Sequence, residues 1–227
     1  MGKLQRIDFH THSFLSDGVL LPSELLRRAA VAGLQAIAIT DHADAGNMAY
    51  ILDSLQRVLR EQPTDFGIEF MVGVELTHVG PQSIGKLARQ AKELGAEVVV
   101  VHGETPVEPV APGTNAAAVA EPAVDVLAHP GFLTLEEARQ AARRGCYVEI
   151  TTRSGHSLTN GHVAQICQQA GAQMIVNTDT HEPGNIVSME FAQMVARGAG
   201  LDEEQIFAAT VTHPQALLAR ILAARQP

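Results

Sequence analysis

Short apolar, β-branched runs alternate along the chain with longer segments in which apolar residues recur at helical spacing. The first predicted strand is Leu4–Phe9, and its helix runs over Ser23–Ala32 with Pro22 and Ser23 at its start. Ala36–Thr40 and Met48–Arg60 make the second strand–helix pair. Phe70–Val74 and Gln82–Leu94 make the third, with Gly95 as the helix stop. Glu97–Val101 is the fourth and most apolar strand. A Pro-rich connection, Glu104–Asn115, and a short helix around Ala116–Ala120 follow it. Val124–Ala128 with Leu135–Arg144, Tyr147–Ile150 with Gly161–Ala170, and Gln173–Asn177 with Val187–Ala196 continue the alternation. Two terminal helices, Asp202–Ala209 and His213–Ala224, complete the pattern.

Seven strand–helix repeats predict a parallel sheet with helices outside it. No linker or composition break divides the 227 residues, a length that an α/β barrel reaches as one domain. Open doubly wound and closed barrel arrangements both fit this alternation, and the placement of polar residues chooses between them. Nearly every predicted strand ends in a residue able to bind metal. His10-Thr11-His12 follows the first strand, with Asp17-Gly18 in the next loop, and Thr40-Asp41-His42 ends the second. Glu75 ends the third, His102-Gly103-Glu104 the fourth, His129-Pro130-Gly131 the fifth and Asp179-Thr180-His181 the seventh. In an extended chain, residues i and i+2 share a face, so His10 can point with His12, and Asp179 with His181. Only a closed barrel brings the ends of strands one to five and seven to a common rim, where such folds place their active sites.

Imidazole and carboxylate donors suit Zn, Mn or Fe, and the absence of thiolate ligands argues against a structural zinc site. The donors exceed what one tetrahedral ion uses, so two or three divalent ions are expected. Cys146 and Cys167 have no paired spacing and read as free thiols.

The order HxH, Asp-Gly, TDH, Glu, HG, HPG and DxH, spread over residues 7–181, resembles the PHP (polymerase and histidinol phosphatase) superfamily. The resemblance implies a distorted (β/α)7 barrel with a trinuclear metal centre at the C-terminal ends of its strands. It implies one ion held by His10, His12, Glu75 and Asp179, with Glu75 bridging. A second would be held by Glu75, His102 and His129, and a third by Asp17, His42 and His181. The expected reaction is metal-dependent hydrolysis of a small phosphomonoester, such as histidinol phosphate, by a metal-bridging hydroxide.

Arg153, just beyond the sixth strand, is the candidate cation for the non-bridging phosphate oxygens, because its guanidinium fork matches phosphate geometry. His156 lies in the same loop, as a candidate substrate contact or a solvated histidine. Glu104 and Asp41 adjoin ligands and either orient them or serve structural hydrogen bonds. Glu149 faces the same way as Thr151 on the sixth strand, and a buried acid there needs partners. His78, His162 and His213 lie off the ligand pattern and read as structural or solvated.

The formal charge of -9, without any basic run, counts against a polynucleotide partner. A phosphodiesterase or nuclease acting on nucleotides is the alternative, and a non-catalytic metal-binding module the third reading. The apolar runs look too short to cross a bilayer and no leader-like segment follows Met1, so a cytoplasmic location is expected.

Overall fold

The computed structural model describes residues 5–61 and 67–225; Leu4, at the start of the first predicted strand, lies outside them. The strands are β1 Arg6–Asp8, β2 Leu34–Ile39, β3 His42–Ala43, β4 Glu69–Leu76, β5 Val98–His102, β6 Val126–Ala128, β7 Tyr147–Thr151 and β8 Met174–Asn177. The helices are α1 Pro22–Val31, α2 Met48–Glu61, α3 Pro81–Glu93, α4 Thr114–Ala120, α5 Leu135–Arg144, α6 Asn160–Ala170, α7 Met189–Gly198, α8 Glu203–Phe207 and α9 His213–Ala224. Every strand pair is parallel, in the order β1-β2-β4-β5-β6-β7-β8.

Between β1 and β8 the sheet nearly closes. A single parallel bridge links Thr11 and Thr180, and the His12 N–H donates to the Thr180 carbonyl at 2.7 Å. Side chains complete this seam. Asn177 Oδ1 accepts from the Phe9 N–H at 3.0 Å, and Thr178 donates its N–H and hydroxyl to the Asp8 carboxylate. The predicted barrel is therefore present, with one addition. The two-residue β3 continues the line of β2 and pairs His42 with Glu75 and Ala43 with Leu76. Glu75 lies within β4 rather than beyond its end, because that strand runs two residues further than its apolar stretch suggests.

Alternation along the strands separates two cores. Val72, Val74 and Leu76 of β4 and Val99 and Val101 of β5 pack outward against the helices. Met71, Val98, Val100, Val126, Ala128 and Ile175 fill the barrel interior. With Trp absent and few aromatic residues, the cores rest on small aliphatic side chains. The interior is narrow at Gly73, where an added Cβ would fall 2.7 Å from both the Val98 carbonyl oxygen and Thr40 Cγ2. Replacing Gly73 with alanine is expected to destabilise the fold by about 1–3 kcal/mol through overpacking. Urea unfolding would register this as a lower midpoint at unchanged slope; an unchanged midpoint would contradict it.

The terminal helices join more tightly than predicted. A π-helical turn, Ala208–Thr212, links α8 to α9, and the Thr210 hydroxyl donates to the Ile206 carbonyl within it. The resulting Glu203–Ala224 helix spans 22 residues and contains an 18-residue window of mean hydropathy 1.2. It thus reaches a length and apolarity that the expectation of no membrane-spanning run had excluded. Its apolar face has a visible use: Leu217, Leu218 and Ile221 close the floor of the barrel against the inner core. Arg220 pairs with Asp125, and Arg225 with Glu69 and Glu97, at that same end.

Candidate metal centre

The inward columns that fill the barrel below become polar above. Glu75 follows Met71 and Gly73 on the same face of β4, and His102 follows Val98 and Val100 on β5. Beyond β1, His10 and His12 turn inward while Thr11 between them donates to the Ala38 carbonyl. Two of these positions are held in left-handed backbone, His129 at φ 27° and Asp179 at φ 52°. Such conformations cost a non-glycine residue about 1–3 kcal/mol and concentrate at functional sites. Gly131 of the HPG motif answers a different need. At φ +63° it lies against the Glu104 carbonyl, and an added Cβ would stand 1.9 Å from that oxygen.

The buried Glu75 is central. Its Oε1 lies 3.2 Å from His10 Nε2 and 3.6 Å from His129 Nε2, and its Oε2 lies 2.7 Å from His42 Nδ1 and 3.8 Å from His12 Nε2. Opposite, Asp179 Oδ1 lies 3.2 Å from His12 Nε2, 3.3 Å from His181 Nδ1 and 3.7 Å from His10 Nε2. Asp17 Oδ1 reaches His181 Nε2 at 3.1 Å and His42 Nε2 at 3.5 Å. The residues fall into groups whose donor atoms lie within 4.8 Å of one another: His10, His12 and Asp179; His12, Asp17, His42 and His181; and His102, His129 and His156. All nine residues singled out in the sequence as metal donors share this rim.

Several neighbours hold these side chains in place. Glu149 Oε2 lies 2.8 Å from His10 Nδ1 and accepts from Asn177 Nδ2, so the acid on β7 orients His10. Asp41 accepts from the Ser13 N–H and from the hydroxyls of Ser13 and Ser16, fixing the turn that carries Asp17. Glu104 turns away from the rim and accepts from the Gly113 and Asn115 N–H groups. Of its two readings the structural one applies.

Charges at the rim are strongly coupled. Burial disfavours an ionised Glu75, yet His10, His42 and His102 outweigh it and hold the carboxyl well below its usual range. Burial likewise opposes charge on His42, but Glu75 and Asp17 carry its pKa up to about 10. Burial, reinforced by the charge on His42, drives His12 well below the ordinary imidazole value. Burial also raises Asp179.

Protons do not satisfy this set. His10 Nε2, both ring nitrogens of His12, Glu75 Oε1, His129 Nδ1 and Asp179 Oδ1 are buried without a hydrogen bond, although several lie within 4 Å of one another. Buried polar atoms left in this way are costly. Nitrogen and carboxylate donors that converge without bonding to each other are what a divalent cation would satisfy, so the residues fit metal.

Arg153 stands at the edge of the rim, donating from Nη1 to the Asp179 carbonyl at 3.1 Å, with Nε 3.4 Å from Asp179 Oδ2. His156 is not a solvated loop residue. The loop after β7 winds into a 3₁₀ turn, His156–Thr159, that buries its ring against His129 with centroids 4.2 Å apart. His156 Nδ1 bonds to the Thr105 hydroxyl at 2.8 Å, and Nε2 faces Glu108 at 3.3 Å.

Glu108 escaped the sequence reading because the Pro-rich connection around it has no periodicity to place it. Its carboxylate also meets His78 and His102. His78 therefore touches the rim, unlike His162 and His213, which bond to the backbone carbonyls of Leu133 and Met174. Cys146 and Cys167 are free and buried, as expected.

Residues 8–94 match the PHP domain family. An uncharacterized protein of Methanocaldococcus jannaschii is 48% identical over 95% of this chain and all of its own length. A probable phosphatase of Thermoanaerobacter sp. is 27% identical over 88% of this chain and 89% of its own. Ribonuclease P protein component 3 of Methanosarcina mazei is 31% identical over 67% of this chain and 59% of its own. Among solved structures, a cryo-EM structure of archaeal ribonuclease P with mature tRNA contains a chain that superposes with a TM-score of 0.64 at 14% identity, covering 97% of this chain and 91% of that one. A two-domain Bacteroides vulgatus protein with a predicted PHP-like metal-dependent phosphoesterase superposes with a TM-score of 0.51 at 17% identity, covering 96% and 69%. With its ordered ligand-type motifs, its nearly closed parallel barrel and these relatives, the chain belongs to the PHP superfamily.

Proposed function

We propose that this protein is a metal-dependent phosphatase that hydrolyses a small phosphomonoester at the rim built around Glu75 and Asp179. The observation that carries the reading is the convergence of buried imidazole and carboxylate donors, several of whose atoms, among them His10 Nε2, His12 Nε2, Glu75 Oε1 and Asp179 Oδ1, have no hydrogen bond. His10, His12, Glu75 and Asp179 would hold one ion, His102 and His129 with Glu75 a second, and Asp17, His42 and His181 a third. Divalent ions bound there supply an activated water and neutralise charge building on the phosphoryl oxygens. Zn, Mn and Fe all suit these donors.

The chain's own residues then have distinct tasks. Glu75 and Asp179 balance the cationic charge of the centre. Glu149 fixes the ring orientation of His10, so Glu149→Gln is expected to weaken metal binding by about 10–100-fold. Isothermal titration of metal-stripped protein would check this; unchanged affinity would contradict it. Arg153 presents its guanidinium beside Asp179, where a phosphate on the ions would be within its reach. Arg153→Ala is expected to raise KM for a phosphomonoester about tenfold or more at unchanged metal content. Equal KM in both proteins would remove Arg153 from the substrate site.

The test of the reading is phosphate release from histidinol phosphate and nucleoside monophosphates after restoring each metal to stripped protein. Degradation of single-stranded DNA and RNA would be followed in parallel. Metal-dependent phosphate release supports it; no release from any monoester, with cleavage of the polymers, overturns it.

A second reading has its own support. The ribonuclease P component 3 relatives, and the like fold in a ribonuclease P–tRNA complex, stand in tension with the expectation against a nucleic-acid partner. The acidic charge of -9 and the orphaned donor set favour small-molecule chemistry over an RNA-binding scaffold.

A further inference from the structure

The loop between β5 and α4 carries Glu108 to the mouth of the barrel. Its Oε2 lies 3.0 Å from His78 Nε2 and 3.2 Å from His102 Nε2, and these three donor atoms fall within 4.8 Å of one another. Its Oε1 lies 3.3 Å from His156 Nε2, whose other nitrogen is anchored on the Thr105 hydroxyl.

The arrangement is built. Glu104, near the start of the loop, accepts from the Gly113 and Asn115 N–H groups at its far end, and Asn115 Nδ2 ties the loop to the Pro130 carbonyl. His102 Nδ1 bonds to the Gly103 carbonyl, which leaves Nε2 as its free donor, directed at Glu108. His78 is held at φ 52°, a strained conformation for a non-glycine residue.

We propose that Glu108 and His78 are metal ligands, completing from the solvent side the coordination of the ion held by His102. Without an ion, a carboxylate ringed by imidazoles needs protons on the nitrogens that face it. A divalent cation replaces those protons and uses the same atoms, an oxygen and two nitrogens, which suit Zn, Mn or Fe. His102 Nε2 has a single lone pair, so it serves one ion. That ion would be held by His102 with His129 and Glu75 from the barrel side, and Glu108 and His78 would supply donors from the open side. His156 positions Glu108 by holding its second oxygen. A ligand on a loop also makes occupancy of this position depend on the loop's placement, which the strand-borne ligands do not share. The inference rests on the metal-binding reading above, although it concerns residues outside the set that the sequence motifs supply.

Cobalt(II) titration of metal-stripped protein tests it, with visible absorption and elemental analysis as readouts. The proteins compared are wild type, Glu108→Gln, His78→Asn and Asp179→Asn. Glu108 and His78 are 37% and 40% exposed, so both variants should fold, and thermal melting of the stripped proteins checks that they do. The expected result is one cobalt ion per chain bound at least about tenfold more weakly in both Glu108→Gln and His78→Asn, with an altered visible spectrum and the remaining ions retained. Binding curves and spectra identical to wild type in either variant overturn the proposal. If they are identical while Asp179→Asn loses cobalt, the strand-borne centre stands and this extension alone falls. A wild-type chain that binds no cobalt sinks both.

Discussion

Replacing Glu75 with glutamine is expected to lower phosphomonoester turnover by about a thousandfold or more, the largest effect of any single substitution. The reason is geometric. Glu75 is fully buried on β4, and its two oxygens face His10, His12, His42 and His129, which come from three other parts of the ring. Glutamine keeps the volume and one carbonyl oxygen but removes the negative charge that lies between cationic groups. The second oxygen becomes an amide, which cannot serve as a metal donor through its NH₂ group. Elemental analysis should show ion content falling together with kcat. A Glu75→Gln protein that retains its metals and turns over within tenfold of wild type would refute the central role given to this side chain.

Stripping the ions is expected to cost a comparable share of the folded state. An ion present at a hundred times its dissociation constant adds about 2.7 kcal/mol, which shifts Tm by about 5–10 °C for a domain of this size. Two such ions would give about 10–20 °C. The direction follows from what remains on removal: buried nitrogens and oxygens with no partner, and a buried Asp179 whose carboxyl burial pushes upward. Differential scanning calorimetry with and without chelator, on samples of known metal content, would measure the shift. Equal melting temperatures would mean that the rim grips nothing that matters to folding.

Much of this architecture was legible in the chain because two periodicities do the specifying. Apolar runs of strand length separated by helical segments gave the parallel sheet with its outer helices, ligand-type residues at the strand ends gave its closure, and spacing by two put His10 with His12 and Asp179 with His181. The boundaries failed where the period was too short to see. His42–Ala43 forms a strand without any β-branched run, because its pairing with Glu75 and Leu76 is set by the neighbouring strand. Glu149 was marked as a buried acid in need of a partner, and the partner is His10, 139 residues away in sequence. Glu108, and the burial of His156, which the sequence marked only as a substrate contact or a solvated histidine, were beyond reach for another reason. Both residues sit in loops whose shape is fixed by single contacts, such as Thr105 to His156, that leave no repeating signal.

The side-chain seam between the first and last strands has a consequence for how the protein is made. His10 and His12 stand on one side of that seam and Asp179 and His181 on the other, about as far apart in sequence as Phe9 and Asn177, which are 168 positions apart. A ribosome delivers the early half of the grip long before the late half. Until the last strand has emerged and docked, the imidazoles near the amino terminus can meet Glu75 and Glu149 but not Asp179 or His181. On the proposed metal-binding reading, full cation coordination would be a finishing step, and an ion held across the seam would fasten together the two ends of a ring that the backbone alone leaves ajar.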